Sequence, residues 1–158
     1  MMGKKFDISQ MLKLKDGFIG VQEGFNDFVK DFLIREGIRV LRNTKLLTPS
    51  NTGFLRKNWE LSAVHQDGDE LYIVLFNNAE YASFVEDGYH QKPRFVPGEF
   101  NGNQFEYIPD HKSGMMLTDK WIPGQHMARI SMAKVEAKIP QRFNKAFKDY
   151  MKSKGVSD

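Results

Sequence analysis

The hydrophobic periodicity of the chain changes at Thr48–Pro49, and this change constrains the fold more than any other feature of the sequence. Upstream, apolar residues recur at steps of three and four, which is typical of one face of a helix: Phe25, Phe28, Val29, Phe32 and Leu33. Because the residue before a proline is disfavoured in the helical conformation, we expect this helix to end at Thr48. Downstream, apolar and polar residues alternate, which predicts a half-buried strand over Leu55–Ala63.

Turn signals frame this strand and the one after it. Asn51-Thr52-Gly53 has turn composition, so we interpret the stretch from Thr48 to Trp59 as a corner between helix and strand, with a catalytic loop or a ligand clamp as alternatives. Asp67-Gly68 is a strong hairpin signal. Leu71–Phe76 is apolar on both faces and predicts the central strand. Arg56 and Lys57 begin the outward face of the first strand, and Arg56 is a candidate partner contact.

The C-terminal segment has helical periodicity with one apolar and one basic face. Pro140 interrupts it, either as a kink or as the first residue of a second short helix. The basic stripe is a solvated face, or it meets an acidic partner or DNA through phosphate charge. Lys138 and Lys145 are the candidate contacts in this stripe, which comprises Lys134, Lys138, Arg142, Lys145, Lys148 and Lys152.

Residues 89–123 combine four prolines with many aromatic residues. Asn101-Gly102-Asn103 is suited to turning a hairpin between Arg94–Phe100 and Gln104–Ile108. A disordered linker would not carry so many large apolar groups. We expect a protruding arm that packs on a neighbouring subunit, with a loop folded back on its own core as the alternative. Its candidate contacts are Phe95, Phe100, Phe105 and Tyr107.

The stretch "NNAEYASFVEDGYH" predicts a short helix that Asn78 caps and Gly88 ends. Glu86 and Asp87 fall near its C-terminal end, where the helix dipole disfavours anions. This placement makes Glu86 a candidate contact for a cation from another subunit. A solvated charge pair is the alternative.

These elements predict an α+β fold in which a small antiparallel sheet packs against long N-terminal and C-terminal helices and a β-hairpin arm protrudes. At 158 residues the chain is expected to be one domain. Its predicted parts are an N-terminal extension (1–20), a helix plus sheet (21–88), the hairpin arm (89–123) and a C-terminal helical segment (124–152).

The sequence contains no pattern typical of a catalytic site. It has no cysteine, so disulfides, thiolate zinc sites and cysteine nucleophiles are excluded. Phosphate-binding Gly-x-x-x-x-Gly-Lys and nucleophile Gly-x-Ser-x-Gly motifs are absent, and the four histidines are scattered. Pro109-Asp110 with Glu136-Ala137-Lys138 matches a nuclease pattern superficially, but its second half falls in a predicted helix instead of a strand. We expect a protein without enzymatic activity, metal or cofactor. A nucleic-acid-binding module and an unrecognised hydrolase are the rival classes.

Charge and hydropathy limit the expected location and partners. The net charge of +3 permits contact with nucleic acid without requiring it. No apolar run approaches the roughly 20 residues of a membrane helix, and the first ten residues lack the apolar core of a signal peptide. We therefore expect no membrane association and assembly in the cytoplasm.

Three motifs in order resemble the gene-ten-product type of tailed-phage proteins, which are tail-completion or head–tail joining proteins of long-tailed phages and prophages. The first motif is "TPSNTGFLRKNW", with Thr48, Pro49, Thr52, Gly53, Leu55 and Arg56 matching the family pattern. The second is "LFNNAEYASFVEDGY", with matches at Asn77 or Asn78, Tyr81, Ala82, Val85, Glu86 and Gly88. The third is "GQHMARISMAKVEAKIPQRF", with matches at Gly124 and Met127. The resemblance covers roughly residues 20–150.

The resemblance implies a structural protein of the virion neck that forms a ring at the head-proximal end of the tail. It implies partners among tail-terminator or tail-tube proteins and head-completion or connector proteins, besides other copies of the chain. The isolated chain is expected to be a monomer, and contact with DNA passing through the neck is a further expectation. The Thr48–Trp59 stretch is then a structural corner in a protein that assembles.

Overall fold

The computed structural model describes residues 2–7 and 24–154. The chain divides into two compact units. The first unit comprises residues 1–82 and 126–158, and the second comprises residues 83–125. Each unit is described by itself below. Of the predicted N-terminal extension, residues 8–20 lie outside the described part of the chain.

A long helix, α1 (Phe25–Leu47), forms the centre of the first unit. Its apolar face is buried as the periodicity predicted, and the chain leaves the helix at Thr48, whose ψ of 123° is extended. Gly37 lies where α1 passes over the sheet. A Cβ atom there would lie 3.3 Å from Ile73 Cγ2, so the glycine permits close approach of helix and sheet.

The sheet of the first unit is antiparallel and is organised around one central strand. On one side of that strand lies β1, and on the other side β2 and β3 pair with its two ends. The buried and half-buried residues of the central strand alternate, and Leu71, Ile73 and Leu75 belong to the core. The predicted central strand is therefore confirmed. The strands are β1 (Met2–Asp7), β2 (Trp59–Leu61), β3 (His65–Asp67) and β4 (Glu70–Asn77).

The predicted strand over Leu55–Ala63 is wrong in its first half, because a short helix, α2 (Phe54–Lys57), precedes β2. Gly53 enters this helix with a φ of 76°, and the Thr52 hydroxyl accepts a hydrogen bond from the Phe54 N–H at 3.3 Å. The Asn58 side chain donates to the Phe54 carbonyl at 2.8 Å and closes the turn. These local hydrogen bonds favour a helical turn over an extended strand.

Two further helices, α4 (Met127–Glu136) and α5 (Ile139–Ser153), complete the first unit. Pro140 lies in the first turn of α5, where its missing N–H costs no helical hydrogen bond, so the second-helix alternative is confirmed. Both helices pack against α1, which itself packs on β2 and β4. Aromatic rings join α1 to α5, with Phe28 stacked on Tyr150 at 4.7 Å between centroids. The predicted α+β fold is confirmed.

The second unit is built from short antiparallel strands. It begins within α3 (Ala82–Asp87), which ends at Gly88 with a φ of 85°, as predicted for a left-handed glycine. The predicted hairpin is present, with its turn at Gly102-Asn103. Its first strand, β6, also pairs with β8 and so lies between two partners. The strands are β5 (Gly88–Gln91), β6 (Arg94–Asn101), β7 (Gln104–Tyr107), β8 (Gly114–Leu117) and β9 (Lys120–Pro123), and β5 pairs with β9.

Candidate interaction surfaces

The corner from Thr48 to Trp59 is held together by its own hydrogen bonds. The Trp59 indole N–H donates to the Thr48 hydroxyl at 2.9 Å, and that hydroxyl donates to the Thr44 carbonyl at 2.6 Å. Arg56 Nη2 donates to the Thr48 carbonyl at 2.8 Å. Trp59 is fully buried and anchors the corner in the core. The exposed Arg56, predicted as a partner contact, is thus already bonded to the backbone of its own corner.

Asn77 connects the corner to the second sequence motif. Its side chain is fully buried at the end of β4 and donates to the Leu55 carbonyl at 2.8 Å. Its amide oxygen accepts a hydrogen bond from the Ala79 N–H at 2.9 Å. One side chain therefore fixes α2 and the start of the segment that leads to α3. The first and second motifs are thus joined directly in the folded chain.

One face of the β6–β7 hairpin is aromatic. Phe100 and Tyr107 are 59% and 61% exposed, and Phe100 makes an edge contact with the half-buried Phe105 at 5.1 Å between centroids. Gly98 lies opposite Tyr107 in the register, and a Cβ atom on Gly98 would lie 2.7 Å from the Phe105 ring. Because side chains alternate along a strand, Phe100, Phe105 and Tyr107 share this side of the hairpin, which we call the aromatic face.

The opposite face of the same hairpin is polar. Glu99 and Glu106 are directly opposed in the register, and Asn101 Nδ2 donates to Glu106 Oε2 at 2.9 Å. The hairpin is therefore amphipathic although both of its faces are largely exposed. Phe95, the remaining predicted aromatic contact, is 50% exposed and lies opposite Met116 of β8.

Glu86 lies in a different environment from the other predicted contacts. It is fully buried, so its carboxylate is not presented to a partner in this structure. The backbone around it is tightly packed, because a Cβ atom on Gly124 would lie 2.6 Å from the Gly88 nitrogen. Gly88 and Gly124, both positions of the family pattern, thus allow the end of α3 to lie directly against the segment that follows β9.

The lysine stripe of α5 borders a groove between α1 and α5 of about 470 Å³. Glu36, buried in its floor, accepts hydrogen bonds from Arg39 at 3.2 Å and from Arg142 across the groove. Lys145 lines the wall of α5, and Arg35 lines the wall of α1. Lys138 is exposed at the start of α5 and is not among the lining residues. We call this feature the basic groove.

The α1 side of this groove was not predicted from the sequence. Glu36 falls on the apolar face of α1, between Phe32 and Val40, and a carboxylate at such a position signals a buried ion pair. Arg35 and Arg39 line the α1 wall of the groove, and neither was among the predicted contacts. Arg142, the other partner of Glu36, is 106 positions away from it in the sequence, so only folding brings the two together.

Within residues 2–7 and 24–154, no group of three or more histidine, aspartate or glutamate residues is arranged to hold a metal ion. In the same part of the chain, no helix is long and apolar enough to cross a membrane.

Comparison with known proteins identifies the family. Residues 13–88 match the family described as "Bacteriophage HK97-gp10, putative tail-component". Over these residues the chain matches the HK97 gp10-like family. The matched region contains the corner motif and the Asn77–Gly88 motif, so the resemblance inferred from the sequence is confirmed. The family is one of phage tail components.

Two proteins of Bacillus subtilis (strain 168) are similar to this chain. Phage-like element PBSX protein XkdI is 34% identical over 105 residues, which cover 65% of this chain and 61% of that protein. Uncharacterized protein YqbI is 44% identical over 117 residues, which cover 69% of this chain and 66% of that protein. The chain thus spans somewhat less than two thirds of the length of each relative. No solved structure matches it significantly.

Proposed function

We propose that the chain is a structural protein of the phage neck that completes the tail and joins it to the head as part of a ring at the head-proximal end of the tail. The match to a phage tail-component family supports a place in the virion. The resemblance of the three motifs to tail-completion and head–tail joining proteins supports the more specific place in the neck. The proposed role is structural and involves no catalysis.

The aromatic face of the hairpin is the observation on which the contact role rests. Phe100 and Tyr107 expose apolar surface to water, which is unfavourable. A partner that covers this surface would gain binding free energy from its burial. Tyrosine and phenylalanine are typical of the centres of protein interfaces. The hairpin offers them on a formed support, because β6 is paired along its whole length, with β8 over Arg94–Pro97 and with β7 over Gly98–Asn101, and little ordering is needed on binding.

In a ring of more than two copies, the interface between neighbours is heterologous, so each copy contacts its two neighbours through two different surfaces. The hairpin supplies one patch, and tail-terminator, tail-tube or head-completion proteins are the proposed partners at the ends of the ring. We expect the isolated chain to be a monomer and to assemble when a neck partner is present.

The test is a double substitution, Phe100→Ser with Tyr107→Ser, in a phage or prophage that carries this gene. Negative-stain electron microscopy of the lysate should show unattached heads and tails in place of joined particles. Both side chains are exposed, so the purified variant should keep the melting temperature of the parent to within a few degrees.

Phe54→Ser with Tyr81→Ser is the matched control. These two aromatic residues are 53% and 42% exposed and stack at 6.3 Å, but they belong to the first unit. The control should leave joined particles intact. Normal joining by the hairpin variant would refute the contact role of the aromatic face, and loss of joining in both variants would show that the effect is not specific to the hairpin.

A further inference from the structure

The basic groove concentrates positive charge on both of its walls. Arg35 and Arg39 come from α1, and Arg142 and Lys145 come from α5. Only two acidic residues, Glu36 and Asp149, are among the lining residues, so the groove carries a net charge of +2. Like charges that face each other are unfavourable unless an anion lies between them.

Glu36 holds two of these arginines in place, and the groove keeps its net positive charge. The buried carboxylate binds both Arg39 and Arg142 and fixes them on opposite walls. A guanidinium has five N–H donors, and one bond to Glu36 leaves others for a second acceptor. Arginines held in this way lose less conformational entropy when they bind a phosphate or carboxylate.

The charge extends beyond the groove. Lys145, Lys148 and Lys152 continue along α5 together with the amides of Gln141 and Asn144 and form a shallow polar surface. The basic groove and this surface form one strip along α1 and α5, which is lined by six cations and two carboxylates and so carries a net charge of +4. A ligand that matches this extended strip is a polymer of negative charges.

The composition of the strip favours phosphate over a protein partner. Along Ile139–Ser153, which is described throughout, none of the large apolar side chains is exposed. A protein interface normally has an apolar anchor at its centre, whereas phosphate contacts are made by arginine, lysine, asparagine and glutamine. We propose that the basic groove and the adjoining face of α5 bind the phosphodiester backbone of duplex DNA without reading its sequence.

The experiment measures fluorescence anisotropy of a labelled duplex of about 20 base pairs with the purified full chain, at salt concentrations between about 50 and 200 mM. The logarithm of the binding constant should fall linearly with the logarithm of the salt concentration. Neutralising the exposed cations in Arg35→Gln, Lys145→Gln and Lys148→Gln together should weaken binding at least about tenfold and reduce the slope by roughly 2 to 3.

A second triple variant is matched in charge. Lys92→Gln, Lys112→Gln and Lys120→Gln remove three exposed lysines from the second unit. This variant should bind DNA within about twofold of the parent, since these lysines are not among the groove residues. Thermal melting of both variants checks that each is folded.

Three outcomes would overturn the proposal. The first is no binding of the duplex by the parent chain at low salt. The second is an equal loss of affinity in both triple variants, which would mean general attraction between charges. The third is that polyglutamate binds as tightly as the duplex and displaces it, which would make the groove a site for an acidic protein.

Discussion

The indole of Trp59 donates a hydrogen bond to the hydroxyl of Thr48 across eleven positions of the chain. Since Thr48 also ends α1, this one contact ties the end of the helix to the first residue of β2. The Thr48 hydroxyl in turn donates to the Thr44 carbonyl, which also accepts the backbone N–H of Thr48, so the buried indole N–H is satisfied at the end of the helix.

We expect Trp59→Ala to lower the free energy of unfolding by about 3–5 kcal/mol, because it empties a fully buried aromatic site. Thr48→Val keeps the shape but leaves the indole N–H without its acceptor, so it should cost about 1–3 kcal/mol. Urea denaturation of each variant measures both values. A Trp59→Ala protein that unfolds at the parental urea concentration would contradict the role of Trp59 as an anchor.

Asn77→Ala should destabilise the first unit by about 1–3 kcal/mol, because it leaves the Leu55 carbonyl and the Ala79 N–H without their partner. The exposed neighbour Asn78 is the control, and Asn78→Ala should change the stability by less than about 0.5 kcal/mol. The same denaturation experiment compares them. Equal effects at the two positions would mean that the link between the two motifs contributes nothing.

Glu36 and Arg142 should be energetically coupled. In a double-mutant cycle with Glu36→Gln and Arg142→Gln, we expect a coupling of about 1–2 kcal/mol, since the Glu36 side chain is 3% exposed and that of Arg142 is 28% exposed. The cycle of Glu36 with Arg39, whose side chain is 52% exposed, should give below about 1 kcal/mol. Coupling energies in the reverse order would contradict the assignment of Arg142 as the main partner.

Gly98→Ala should loosen the hairpin. The new methyl group would meet the Glu106 carbonyl oxygen and the Phe105 ring, at a φ of 151° that side chains rarely adopt. Hydrogen exchange of the β6–β7 amides should become at least about tenfold faster. Gly102→Ala, which meets nothing within 4 Å, should change these rates less although its φ of 62° is also positive. Unchanged exchange in Gly98→Ala would show that the strands separate easily enough to admit a side chain.

The parts of the fold that follow from local periodicity were predictable. The repeat of Phe25, Phe28 and Phe32 predicted α1, and Pro49 predicted its end. The structure of the Thr48–Trp59 corner was harder to predict, because Leu55 and Trp59 are four residues apart. This spacing suits both a helical turn and one side of a strand. The Gly53 conformation and the Asn58 hydrogen bond decide between them, and neither is visible in a hydrophobic pattern.

Only the α5 wall of the basic groove could be predicted from the sequence. The stripe of α5 was evident because its members recur at helical spacing. The α1 wall could not be predicted, because it forms only when α1 and α5, which are far apart in the sequence, pack antiparallel. Glu36 then binds Arg39 of α1 and Arg142 of α5. Strand β1 was missed for a similar reason, because its partner is more than 60 residues away and "MGKKFD" has little apolar alternation.

The pairing of β1 with β4 also governs the order in which the sheet is made during synthesis. Residue 7 leaves the ribosome about 60 residues before residue 70, which at ~5–20 residues per second is a delay of roughly 3–13 s. The hydrogen bonds of α1 are local and can form in that interval, whereas β1 has no strand to pair with. An unpaired strand recruits other chains, and charged side chains, lysine above all, are the usual protection against this. Lys4 and Lys5 lie in the middle of β1, so the nascent strand carries its own protection against aggregation until β4 is translated.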